Sequence, residues 1–315
     1  MKHKWKLFVC GISISLLLGG CFGVDSGKKS EAKKTDAKQG VDDRPEDRFE
    51  SVLTYTGEGY DLPGGEENEK IAKEHKDEVV KATKDYLKEK YNTDIEVHNM
   101  VGNKDGVTVF FESVGDVHFY STAIVPIDSD NQKVLSDKVW TLEGEVEKAI
   151  RASLYAYIDK DDFENLDNEI KDIINSNPEI TGRTIESLQN VGGNGYMTPY
   201  YFVQSSSNDE AIKPVYDSFI NNPTSSITDL RKLYDKDLFK SKDLIFSINF
   251  FMKDSNLEPD KKIYDSIVQA FEDNDQLPRG TYVINLHDNF IIKSKFEGYK
   301  QNSLSQTALD GIIKE

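Results

Sequence analysis

The stretch IEVHNMVGNKDGVTVFFES, Ile95 to Ser113, is two alternating runs on either side of a polar turn. Alternation sends successive side chains to opposite faces, so each run reads as a half-buried strand. Asn103-Lys104-Asp105-Gly106 is short and has turn chemistry, which makes the pair antiparallel. Val117 to Ile127 repeats the pattern, Asp128-Ser129-Asp130-Asn131 is the next turn, and Val134 to Leu142 is expected as a fourth strand. Upstream, Ile71, His75, Val79, Ala82, Tyr86 and Tyr91 recur at helical spacing and predict one helix from about Glu67 to Tyr91. The fold class is therefore α+β, with helices packed on antiparallel sheet.

The rest of the chain repeats this order loosely. Glu143 to Ile158 and Phe163 to Ile174 read as helices, as do Asp209 to Ile220, Ile227 to Tyr234 and Asp260 to Phe271. Leu244 to Met252 is a dense apolar run, either strand or buried helix, and residues 190 to 208 hold a short strand or an exposed loop. Tyr282 to Leu286, His287-Asp288-Asn289 and Phe290 to Phe296 read as a hairpin. Helices before antiparallel strands thus occur twice, which suggests two units of similar order, 49–160 and 161–315.

The first 21 residues carry an address. Lys2, Lys4 and Lys6 precede an apolar run from Leu7 to Leu18, too short for a spanning helix of about 20 residues. Leu18-Gly19-Gly20-Cys21 then has the order of a lipoprotein signal: a branched aliphatic residue, small residues that admit a peptidase, and a thiol that takes up lipid. The expected cut lies between Gly20 and Cys21, so 1–20 is a signal peptide and Cys21 is the lipidation site. Diacylglyceryl and palmitoyl-type acyl groups on Cys21 would hold the chain on the extracellular face of the cell membrane. Residues 21–48, rich in Lys, Ser, Asp, Gly and Ala, read as a flexible tether.

Composition narrows the partners. The formal net charge of −17 becomes −20 once the three signal lysines are removed. Such an acidic chain repels nucleic acid, and no nucleic-acid partner is expected. With 16 Phe and 15 Tyr it has enough apolar mass for a core. Its only cysteines are Cys10 and Cys21, so no disulfide can staple the body.

No reaction is legible. His75, His98, His118 and His287 show no metal-ligand spacing, although His98 and His118 lie on neighbouring strands and can meet in space. Asp128-Ser129-Asp130-Asn131 starts like a calcium loop, but Lys133 and Val139 stand at the positions for Gly and Glu. Asp159, Asp161 and Asp162 have the same flaw. No metal and no cofactor is expected, and no catalytic residue can be named. Glu112 is a carboxylate on a strand, indistinguishable by sequence from an exposed strand residue. Tyr196, Tyr200 and Tyr201, beside three Gly and a Pro, would suit a glycan or protein ligand if exposed and are core if buried.

The lipobox, YTGEGY at Tyr55 to Tyr60, ENEKIAK at Glu67 to Lys73, HFYSTAIVPID at His118 to Asp128 and SDKV at Ser136 to Val139 resemble the domain of unknown function 1672 family. This family is one of uncharacterised lipoproteins of Gram-positive bacteria. The resemblance implies a surface lipoprotein and carries over no catalytic residue. The functional expectation is a non-enzymatic binding or interaction module. The alternatives are a cell-envelope glycan or peptide hydrolase using unassigned carboxylates and, third, a solute-binding lipoprotein.

Overall fold

A computed structural model describes residues 45–315. The signal, Gly20, Cys21 and all but the last four residues of the tether lie outside the described residues.

The described chain opens with a short strand, β1 (Phe49–Ser51), and a loop that leads to α1 (Glu66–Glu74) and α2 (Lys76–Tyr91). One helix was expected here. The ladder breaks at His75, whose backbone leaves the helical region at φ −110°, ψ 30°. The break gives each half its own seat. α1 buries Ile71 and Ala72, and α2 buries Val79, Ala82, Leu87 and Tyr91. α1 lies so close to the next strand that a Cβ on Gly102 would fall 2.0 Å from the Gly65 carbonyl oxygen.

β2 (Ile95–Asn103), β3 (Gly106–Ser113), β4 (Tyr120–Asp128) and β5 (Lys133–Val134) form an antiparallel sheet in chain order. The turn at 103–106 holds because the Asn103 side chain accepts the Asp105 N–H and donates to Thr108, while Gly106 takes φ 152°. The expected fourth strand is mostly absent. After Val134 the chain makes a 3-10 turn at Ser136–Lys138 and returns only for a bridge between Ile124 and Trp140.

α3 (Glu145–Ile158) and α4 (Lys160–Ser176) meet at Asp159, which ends one and begins the other. Val146, Ile150 and Leu154 of α3 and Phe163, Leu166 and Ile170 of α4 belong to one buried cluster, continuous across residue 160. Next come β6 (Ile180–Thr181), α5 (Ile185–Val191), β7 (Tyr196–Met197), β8 (Tyr201–Ser205), α6 (Lys213–Asn221), α7 (Ile227–Leu233), β9 (Leu244–Met252) and α8 (Lys261–Asp273). Asp260 caps α8 by accepting the N–H groups of Lys262 and Ile263. The chain closes with β10 (Gly280–His287), β11 (Phe290–Ile292), β12 (Leu304–Ser305) and β13 (Ile312–Lys314).

The second sheet is mixed, against the expectation of antiparallel strands alone. Its path is β12-β10-β9-β8-β7, with β13 also on β10 and β6 on β9. β10 runs parallel to β9, from Thr281 opposite Ile245 to His287 opposite Phe251, and α8 supplies the crossover a parallel pair needs. β9 has no exposed residue, with Leu244, Phe246 and Ile248 to Met252 buried and Ile245 and Ser247 half-buried, which is why LIFSINFFM reads as a dense apolar run. The expected hairpin at 282–296 does not form. Both edges of β10 are taken, by β9 on one side and by β12 and β13 on the other. β11 therefore turns away at Asp288-Asn289 and pairs with β1, Phe49 opposite Ile292.

Candidate functional site

The four-stranded sheet brings together two of the histidines and a carboxylate. β2 and β3 shift register between Val97 and Asn99, leaving His98 as the extra residue of a bulge. A bulge re-aims its side chain, and His98 Nε2 comes 3.1 Å from Glu112 Oε1. His118 arrives from the turn between β3 and β4. That turn is fixed by Ser113, whose hydroxyl donates to Val117 O and accepts the Phe119 N–H. Ser153 of α3 donates to the His118 carbonyl at 2.6 Å. The His118 ring meets Tyr120 edge-on and places Nε2 3.2 Å from Glu112 Oε2. Gln189 of α5 donates its amide to Glu112 Oε1 at 3.4 Å.

The carboxylate thus lies between two imidazoles, with one oxygen toward each. Burial pushes the Glu112 carboxyl up, but the His118 hydrogen bond and the charges of His98 and His118 outweigh it, and the net shift is downward. The two contacts differ. His98 Nε2 is close enough for charge pairing but has no aligned hydrogen bond, whereas His118 makes one. His118 is also the open member, with its side chain 37% exposed against 14% for His98. Glu112 engages His118 at Nε2, which leaves Nδ1 as the ring nitrogen not taken up by this carboxylate. The carboxylate sits between the rings, not beside them. Among the described residues no group of three His, Cys, Asp or Glu side chains is placed to hold a metal ion.

The three tyrosines singled out by sequence form no exposed aromatic patch. Tyr201 is buried, its hydroxyl donating to Asp167 at 2.9 Å. Tyr196 is half-buried, edge-on to Phe163 and tilted on Tyr201. Tyr200 is half-buried against Phe250. Tyr196 lies on β7 and Tyr201 on β8, with Tyr200 just ahead of β8. Asp128 closes its own turn by accepting from the Asn131 backbone and side chain, as a polar turn does.

Sequence reasoning missed two features. α5 holds Gln189 and is only seven residues long, signalled by Thr184, whose hydroxyl accepts the Ser187 N–H. The other is a cavity of about 60 Å³ where α3 meets α4, lined among others by Tyr155, Asp159, Asp162, Tyr234, Lys236 and Arg279. Burial, and then the Asp162 charge, push the Asp159 carboxyl up to about 6.

Residues 42–314 match the family model described as "Protein of unknown function (DUF1672)". The chain belongs to the DUF1672 family. It is similar to the crystal structure of a DUF1672 family protein from Staphylococcus aureus subsp. aureus Mu50. The TM-score is 0.66 at 16% identity, covering 85% of this chain and 98% of that one. At that identity the likeness between DUF1672 proteins shows a shared fold and transfers no site. No curated protein matches the chain.

Proposed function

We propose that the protein is a lipoprotein of the cell envelope, cut before Cys21 and held by lipid on the extracellular face of the cell membrane. Its body would act there as a non-enzymatic binding or interaction module. The observation that carries the anchor is Leu18-Gly19-Gly20-Cys21 behind Lys2, Lys4, Lys6 and the apolar run. Among the described residues no helix is long and apolar enough to cross a membrane. Fractionation and intact mass of wild type beside Cys21→Ala test it. Wild type is expected in the membrane, with a diacylglyceryl mass on Cys21, and the variant outside it. Unlipidated wild type in the medium would sink the anchor.

One observation favours the competing reading, a glycan or peptide hydrolase. Asp159 ionises at about 6 and faces Asp162, which suits a general acid. Its cavity of about 60 Å³ has room for about two waters and none for a sugar ring, so the binding reading stands first. Turnover of purified wall fragments by wild type, lost in Asp159→Asn, would reverse that order.

A further inference from the structure

Just beyond β10 an amine and a carboxylate are shut in together. Lys300 Nζ lies 3.0 Å from Asp288 Oδ1, and the two side chains are 9% and 0% exposed. Asp288 Oδ1 also accepts the Phe290 N–H at 3.0 Å, and Oδ2 accepts the Asn302 amide at 2.8 Å. Lys300 Nζ donates to the carbonyls of Phe290 and Gly298, each at 2.5 Å. Beside them the His287 ring, itself buried, packs on Phe251 at 4.9 Å.

We propose that this pair is a modification site, where Lys300 and Asp288 condense into an intramolecular amide. In water a lysine and an aspartate stay apart because both ions are well solvated. Here that solvation is lost on both, and the amide that replaces them carries no charge to desolvate. The fold also holds the reacting groups in contact, which supplies the effective concentration that a free amine and acid lack.

The ion pair contains every atom that the step needs. One Nζ proton crosses to Oδ1, and the freed lone pair attacks Cγ. The Phe290 N–H and the Asn302 amide hold the carboxyl oxygens while the carbon is tetrahedral. The Cγ–O bond then breaks, and the departing hydroxyl takes a second Nζ proton and leaves as water. The third proton remains as the amide N–H, within reach of a neighbouring carbonyl. Nothing is oxidised or reduced, and no co-reactant enters.

The bond would close the loop that carries β11, the strand on which β1 docks. With Cys10 and Cys21 as the only cysteines, no disulfide can do this for the body. The inference is independent of the anchor and of any hydrolase activity.

Denatured full-length protein digested with trypsin gives the test. An amide on Lys300 blocks cleavage there and joins peptide 280–293 to peptide 296–314, at their summed mass less one water. That branched species is expected from wild type and not from Lys300→Arg, which keeps the charge but has no primary amine. Recovery of peptides 280–293 and 296–300 as the bulk of wild type would overturn the proposal and leave a buried ion pair. A branched species that persists in Lys300→Arg would overturn it too, since the nitrogen would be another one. The wild-type digest decides even if the variant fails to fold.

Discussion

Replacing Gly102 by alanine should lift α1 off the first sheet. The new methyl carbon would lie 2.0 Å from Gly65 O, 2.7 Å from Glu69 Cβ and 2.8 Å from Glu69 N, where ordinary contact starts at 3.4 Å. Two of these neighbours are backbone atoms, so no rotamer change relieves the clash. Gly102 does not occupy the left-handed region, so the cost comes from contacts and not from φ. The displaced helix gives up the Asn68 amide donated to Asn103 O at 2.8 Å and the Gly102 N–H donated to Glu69 at 3.2 Å. A neutral hydrogen bond is worth about 1 kcal/mol and one to a half-screened carboxylate about 1 to 2, so the loss is about 2 to 3 kcal/mol. Urea unfolding followed by circular dichroism should show a midpoint lower by about 1 M at unchanged slope. Gly65→Ala should cost about as much, because the same lift relieves both methyls, and the double variant should cost little more than either. A Gly102→Ala midpoint within about 0.3 M of wild type, or additive costs in the double variant, would refute this packing argument.

Two pH dependences follow with opposite signs. The Glu112 carboxyl is lowered in the folded state, so its stabilisation is present above its unfolded value and fades as the pH falls through the folded one. Glu112→Gln should therefore be less stable than wild type near neutrality and converge with it in acid; parallel stability curves across that range would contradict the assignment. Asp159 is raised to about 6, so folding loses stability as the pH climbs from its unfolded value toward 6. Asp159→Asn should gain up to about 3 kcal/mol over wild type at pH 7 and nothing at pH 4, and an equal gain at both would show that desolvation of the charge is not the cause.

The first sheet was readable because its strands follow one another in chain order and the turns between them are short, although β3 buries adjacent Phe110 and Phe111 on opposite faces. Ile95 to Asp128 needed no partner from elsewhere, and Asp260 announced α8 through its own cap. The second sheet was not readable because most of its strands are joined through helices and long connections and not through short turns. LIFSINFFM is a dense apolar run, so it reports burial and not direction. Phe290 to Ile292 looks like the return arm of a hairpin because sequence does not show that both edges of β10 are occupied. The site was half legible. His98 and His118 were seen to lie on neighbouring strands, but period alone does not reveal the bulge that turns His98 toward Glu112. For the tyrosines at 196, 200 and 201 the Gly-rich context left loop and core both open, because composition does not show where a ring packs.

The pairing of β1 with β11 sets a timetable. Phe49 meets Ile292, and Val52 donates to Asn289 O. A chain that emerges from the ribosome or crosses a membrane from its N-terminus delivers β1 long before β11. Until Phe290 to Ile292 arrive, β1 has no strand to dock on, and ordering across so long a loop is slow. The meander from Ile95 to Asp128 meets no such delay. The described body should therefore close from the meander outward, with β1 among the last of its parts to settle.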